Sequence, residues 1–230
     1  MTLPDWAIPG VRRGIEQMLA LRAQLLADGA KAIGWKLGFG APAWLDKFGL
    51  TGPVVGFLTE ATRHPPGATV ACGGWRNPVA EPEIAVHIGR DVDNPSRVVD
   101  SIAALGPAIE LADVHPPPEN IQDVLAGNIF HRAVILGEPD PARAGGVSAG
   151  LRALIRRDGE EVADTTDLET FTGELVAILG HAATMLGNAG EGLRAGEVVI
   201  MGSIVPPIAV IAGEEINFEL SPLPAISVRV

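Results

Sequence analysis

Positive charge is scarce in this chain and cysteine is nearly absent. Seventeen Lys and Arg stand against twenty-eight Asp and Glu, giving a formal charge of −11. A field of that sign repels phosphate backbones. The only basic doublets, Arg12-Arg13 and Arg156-Arg157, build no patch to offset it, so a nucleic-acid partner is not expected. The single cysteine, Cys72, leaves no disulfide framework and no thiolate metal cluster, and it suits a reducing cytoplasm. Long hydrophobic runs are missing too. The charge-free stretch Val198–Gly213 is shorter than the about 20 residues a membrane helix needs, and Pro206-Pro207 would break it. Asp5 and Arg12-Arg13 interrupt any signal-peptide pattern at the start. The expectation is a soluble, cytoplasmic protein without a membrane partner.

What the chain does have is enough apolar material for a core. Of its 230 residues, 47% are hydrophobic and 20% charged, a composition that supports a single globular unit. Apolar residues recur at helical spacing from Val11 to Asp28, with Gly29 as the stop, and again from Thr172 through Leu175, Ile178, Leu179, Ala182, Met185 and Leu186. A third, shorter helix is predicted over Asn94–Leu105, because an Asn cap precedes a Pro at the first helical position and Gly106 follows. Strands are predicted at Lys31–Phe39, Val54–Thr59, Val79–Gly89, Pro107–Val114, Ala133–Leu136 and Leu151–Arg157, and then at Glu197–Met201, Ile208–Ile211, Glu214–Leu220 and Ala225–Val230. Many short strands with few helices do not alternate as a doubly wound fold would. The class is therefore α+β, with a mixed, curled sheet or sandwich at its centre. Residues 1–50 are expected to form an N-terminal helical and strand segment packed on a 51–230 β-roll, the two making one structural unit.

The most informative segment is Ala80-Glu81-Pro82-Glu83-Ile84-Ala85-Val86. Residues i and i+2 of a strand project from one face, so Glu81 and Glu83 point together. Like charges so placed need water or a positive partner between them. A hard divalent cation with oxygen ligands meets that need, and a solvated strand face also fits the spacing. Pro82, which has no N–H, suits an edge or a bulged strand. Further on, Pro107-Ala108-Ile109-Glu110-Leu111-Ala112-Asp113 carries a carboxylate amid apolar neighbours, which is costly if buried without a partner. A returning strand could bring Glu110 beside the first pair.

Taken in order, the blocks Ala32-Ile33-Gly34-Trp35-Lys36-Leu37-Gly38, Val79–Ala85, Ala108–Asp113 and Leu193–Ser203, with Pro206-Pro207 and Ala212-Gly213-Glu214 behind them, spread across nearly the whole chain. This ordered set resembles the fumarylacetoacetate hydrolase superfamily, specifically its 2-keto-4-pentenoate hydratase / 4-oxalocrotonate decarboxylase branch. The resemblance implies a β-roll like that family's C-terminal domain. It implies that Glu81, Glu83 and Glu110 hold Mg²⁺ or Mn²⁺, that Lys36 reaches the active site, and that Ser203 in Met-Gly-Ser contacts substrate or a metal-bound water. It implies a lyase of aromatic-compound breakdown whose small-molecule substrate is a 2-oxo or 2-hydroxydienoic acid such as 2-hydroxypenta-2,4-dienoate, chelated so that the adjacent enolate is stabilised. The alternatives it leaves open are a 4-oxalocrotonate-type decarboxylase, an acylpyruvate hydrolase, an oxaloacetate decarboxylase, or an oxo-acid-binding member without catalysis. Members of the family usually assemble, so a homo-oligomer is expected.

The residues themselves carry alternatives. Lysine is rare here, at Lys31, Lys36 and Lys47 only, and an ammonium between Gly34 and Gly38 could meet a substrate carboxylate or move a proton; a surface lysine between turn glycines fits the same spacing. Ser203 also suits a turn cap, and no Gly-x-Ser-x-Gly elbow surrounds it. Two blocks depart from the family pattern. Pro53-Val54-Val55-Gly56 stands where the family has Pro-Asp-Tyr-Gly, and Gly127-Asn128-Ile129-Phe130 where it has Asp-Asn-Ala-Ser. Both changes predict a drier or reshaped pocket. Of the histidines, His115 and His131 border loops near the expected site and are weaker candidates for a proton carrier.

Overall fold

The computed structural model describes residues 5–230. In chain order its elements are α1 (Pro9–Ala27), β1 (Ala32–Gly38), α2 (Pro42–Phe48), β2 (Val54–Thr59), β3 (Arg63–His64), β4 (Ala68–Thr69), β5 (Pro78–Ile88), β6 (Ile102–Asp113), α3 (Ile121–Ala126), β7 (His131–Leu136), β8 (Arg152–Arg157), β9 (Glu160–Thr165), α4 (Leu175–Asn188), β10 (Val198–Ser203), β11 (Ile208–Ala209), β12 (Glu215–Ser221) and β13 (Ile226–Arg229). They build the mixed α+β architecture expected. One sheet runs β2-β1-β10-β5-β6-β7-β3 with β11 added beside β5, and a second runs β4-β13-β12-β8-β9. The first sheet curls into a half-barrel, and the helices flank it.

The longest pairing is the antiparallel ladder of β5 with β6, which runs from Pro78↔Asp113 to Ile88↔Ile102. Both strands are buried along nearly their whole length, so their apolar residues show no simple alternation. This ladder decides one disagreement with the sequence reading. The predicted helix over Asn94–Leu105 is only a 3₁₀ turn at Pro95–Ser101, and the strand begins at Ile102 rather than Pro107. The Asn cap is real, since Asn94 Oδ1 accepts from Ser96 N–H at 3.0 Å. Beyond it, Ile102 and Leu105 bury themselves by pairing with β5, and that tertiary contact overrides a short apolar period that fits either element. Pro107 is tolerated because its carbonyl accepts from Gly137 N–H at 2.8 Å. Its N and O share one side of the strand, so the missing donor faces past the end of β7 and not toward β5.

Pro82 shows the same logic. β5 is an interior strand, not an edge, but Pro82 faces β10 where that pairing shifts register between Ile200 and Ser203. Its carbonyl accepts from Ile204 N–H at 3.0 Å, so the absent N–H falls in the bulge. The short helices α2 and α3 and the outer strand β9 were not expected from the sequence. Each lacks a full apolar period, and β9 is almost entirely exposed or half-buried.

The segment before residue 50 contributes β1, which lies between β2 and β10 in the large sheet. Its parallel contact with β10 is very close at Gly34, whose φ is +147° and whose position leaves a Cβ only 1.8 Å from the Val198 carbonyl oxygen. Glycine is required there on both counts. Gly34→Ala should therefore lower unfolding free energy by about 2 kcal/mol or more, read from urea denaturation. A change below about 0.5 kcal/mol would show that this contact does not set the β1–β10 spacing.

Candidate metal centre

Glu81 of β5 and Glu110 of β6 are direct cross-strand partners, and Glu83 lies two residues along on the same face as Glu81. One carboxylate oxygen from each comes within 4.8 Å of the other two. Glu83 and Glu110 are fully buried, while Glu81 is half-buried because it lines an open cavity. A solvated strand face is thereby ruled out.

Lys36 arrives from β1. Three strand spacings of about 4.8 Å separate β1 from β6 in sheet order, yet Lys36 Nζ donates to Glu110 Oε1. That contact reports the curl of the sheet, whose concave side holds the site. Lys36 is 1% exposed, so the surface-lysine alternative fails. A second Nζ hydrogen goes to the Ile129 carbonyl at 3.1 Å. That carbonyl is presented by a run of left-handed residues, with φ of +55° at Asn128, +51° at Ile129 and +62° at Phe130. A β-branched or bulky side chain in that region is strained, at about 1–2 kcal/mol per residue. The run is fixed by the Asn128 amide, which accepts from Phe57 N–H at 2.8 Å and donates to Phe57 O at 3.0 Å.

Sequence reasoning underrated His131 and missed Gly202. His131 Nδ1–H donates to the same Glu110 Oε1 at 2.8 Å, and Nε2 meets Thr62 Oγ1 at 2.9 Å. The signal was a histidine bordering a loop near the expected site, but nothing in the spacing fixed which way its ring would turn. Gly202 N–H donates to Glu83 Oε2 at 2.6 Å; a backbone donor carries no side-chain signature at all. His115, the other candidate, is exposed and lies 3.4 Å from Arg76 Nη1. Ser203 lines the cavity, and its hydroxyl donates to Val205 O at 2.7 Å, so the turn-capping alternative is what the geometry shows. Val54 is fully buried in the core and does not line the cavity, whereas Phe130 does. The two family departures are thus unequal in effect.

After these bonds, Glu83 Oε1 and Glu110 Oε2 remain buried without a partner. Buried carboxylate oxygens are costly to leave so, and an oxygen-donor set with two orphaned atoms fits a hard divalent cation. The crowding shows in the acidities. Burial and then the neighbouring Glu110 push Glu81 up to about 7, against the pull of Lys36. Burial, Glu110 and Glu81 raise Glu83 well above the usual range. Burial works to raise Glu110 as well, but the Lys36 ammonium and His131 outweigh it and hold that carboxyl low.

Fold and site together define a curled-sheet protein that carries a cluster of three carboxylates, of a chemistry that fits a hard cation, beside an open cavity. The chain belongs to the fumarylacetoacetate (FAA) hydrolase C-terminal family, whose model matches residues 44–230. It is similar to the 2-hydroxyhexa-2,4-dienoate hydratase of Comamonas testosteroni, at 27% identity over 224 residues that span 92% of this chain and 82% of that protein. It is also similar to a 4-oxalocrotonate decarboxylase of Pseudomonas sp, at 24% identity over 222 residues, 94% of this chain and 86% of that one. Among solved structures, the 4-oxalocrotonate decarboxylase of Pseudomonas putida G7 complexed with magnesium and adipate superimposes with a TM-score of 0.85 at 22% identity, covering 99% of this chain and 90% of that chain. The fumarylpyruvate hydrolase of Pseudomonas aeruginosa in complex with Mn²⁺ and pyruvate gives 0.63 at 17% identity, covering 85% and 88%. Both show the same fold. No helix among the described residues is long and apolar enough to cross a membrane.

The acidities give a signed expectation for the metal-free protein. Glu81 is raised from 4.5 to about 7, so its contribution to stability is present below pH 4.5 and lost as pH rises through about 7. His87 and His181, held low by burial, act with the opposite sign. The readout is therefore the difference between wild type and Glu81→Gln in EDTA. Wild type should lose urea resistance relative to the variant between pH 5.5 and 8, and parallel curves would refute the assignment.

Proposed function

We propose that this protein is a divalent-metal-dependent lyase of the hydratase type, acting on a 2-hydroxydienoate or 2-oxo acid such as 2-hydroxypenta-2,4-dienoate. The observation that carries the reading is the pair of orphaned oxygens, Glu83 Oε1 and Glu110 Oε2, beside Glu81 in a cavity open to a small molecule. Glu81, Glu83 and Glu110 would hold Mg²⁺ or Mn²⁺, a choice supported by their hard oxygen donors. When bound, such a cation supplies Lewis-acid polarisation to a chelating 2-oxo acid. The hydratase and decarboxylase names of the relatives support the reaction class.

The chain's own residues have separable tasks. Glu110 is held by two donors on Oε1, which leaves Oε2 turned to the cradle. Glu83 is fixed in the same way by Gly202 N–H. Lys36 uses two of its three hydrogens on Glu110 and Ile129, and it lines the cavity, so the third is free to meet a substrate oxygen or to deliver a proton beside the carboxylate. Ser203 Oγ, whose hydrogen goes to Val205, offers the cavity a lone pair. The apolar remainder of the wall keeps water sparse and strengthens each of these charge contacts.

Glu81 is the residue to test. Removing Glu110 would leave Lys36 buried and unpaired, which costs about 3–5 kcal/mol and confounds loss of metal with loss of fold. Glu81 has neither Lys nor His bonded to it. Loss of dienoate absorbance should require Mg²⁺ or Mn²⁺, stop in EDTA, and fall at least about 100-fold in Glu81→Gln while the circular dichroism spectrum is kept. Turnover that persists in EDTA would refute the proposal.

A further inference from the structure

The cavity is about 130 Å³ and its chemistry is one-sided. Among the described residues, Lys36 and Glu81 are the only ionisable side chains lining it, and both belong to the floor. The rest of the lining carries four aromatic rings, those of Phe39, Trp44, Phe130 and Phe171. Phe39 meets Trp44 edge to face at 5.1 Å between ring centroids, and Phe130 lies 6.5 Å from Phe39. Pro118 lines the cavity as well, and Phe171 is 39% exposed at the rim. Lys47 is held outside the lining. Its ammonium donates to Pro118 O at 2.8 Å and lies 5.0 Å from the Trp44 ring centre.

Two of these rings are placed at a conformational cost. Phe39 has a φ of +61° and Phe130 one of +62°, a backbone region that bulky residues avoid unless the surroundings over-determine them. Strain of this kind marks positions where the side chain's location matters. Here it sets two aromatic faces in one cavity with the cation cradle.

We infer that this site selects a 2-oxo acid with a bulky, uncharged, ring-bearing tail, and that it discriminates against 2-oxo acids whose tail carries a second carboxylate. The inference rests on the proposed metal-dependent reading for the carboxylate and oxo group, and it ranks a ring-bearing tail above the short tail of 2-hydroxypenta-2,4-dienoate. A second carboxylate carried on the tail would lie among the aromatic rings, where the lining offers no cation besides the Lys36 already bonded to Glu110, and a carboxylate desolvated without a partner binds poorly. A ring instead stacks edge or face against Phe39, Trp44 and Phe130. The cavity opens to solvent at the Phe171 rim, so a ring on the tail need not fit wholly within its about 130 Å³. The decarboxylase neighbour from Pseudomonas putida G7 holds adipate, a dicarboxylate, so the inference separates this chain from that protein in specificity although the folds agree.

The test is calorimetric titration of the Mn²⁺-loaded protein with oxalate, a chelating head with no tail, and with phenylpyruvate and 2-oxoglutarate, which carry one 2-oxo acid head on a ring-bearing and a carboxylate-bearing tail. Phenylpyruvate should bind at least about tenfold tighter than 2-oxoglutarate, and Trp44→Ala should remove most of that preference while leaving oxalate affinity within about twofold. If 2-oxoglutarate binds as tightly as phenylpyruvate, or Trp44→Ala leaves the preference intact, the inference is overturned, and oxalate binding still upholds the metal reading. If none of the three binds, the inference falls together with the metal reading.

Discussion

Everything at this site depends on crowding three carboxylates onto one concave face with a single lysine among them. Glu81, Glu83 and Glu110 share a space a few ångströms across, and water cannot screen two of them. Lys36 offsets one charge, and His131 shares the same oxygen of Glu110. The remaining negative charge has no cationic protein partner, so it is relieved either by protonation, to which the raised pKa values of Glu81 and Glu83 point, or by a cation. An ion bound to such a cluster in the native state would also contribute to folding.

The scaffold holds this arrangement by curvature. Lys36 could not touch Glu110 across a flat sheet with β10 and β5 in between, so the contact and the curl imply each other. Gly34 permits the close β1–β10 approach, and the β10 bulge opposite Pro82 turns Gly202 N–H onto Glu83. On the other side, the Asn128 amide locks the strained run that aims the Ile129 carbonyl at Lys36. The lysine end of the ion pair is thus tied to a backbone carbonyl and the Glu110 end to the His131 ring, which gives the pair one geometry.

Much of this was legible in the sequence because the signals are local. Glu-x-Glu in a strand dictates two carboxylates on one face whatever else happens, and a lone Glu in an apolar run asks for a partner. The ordered family blocks added the lysine. What could not be read was long-range. Nothing local says that Ile102–Leu105 pairs with β5 rather than continuing a turn of helix, and the short helices α2 and α3 carry too few residues to show a period. His131 and Gly202 owe their roles to partners 21 and 119 positions away, a ring rotation and a backbone amide that no residue pattern records.

The departures at Val54 and Phe130 illustrate the same limit and resolve differently. Read side by side, both replace a polar group by an apolar one and suggest a drier pocket. In the fold, Val54 is packed into the core and leaves the cavity untouched, whereas Phe130 stands in the cavity wall on a left-handed backbone beside Phe39. Only the second change alters what a ligand meets. The floor and the wall are therefore under separate constraints. Charge balance among Lys36, His131 and the three carboxylates fixes the floor, so changes there carry the full cost of a buried unpaired charge. The wall is fixed by shape and van der Waals contact, where an exchange of one apolar group for another costs far less. A fold built this way can change the tail it accepts while the chemistry at the head stays as it is.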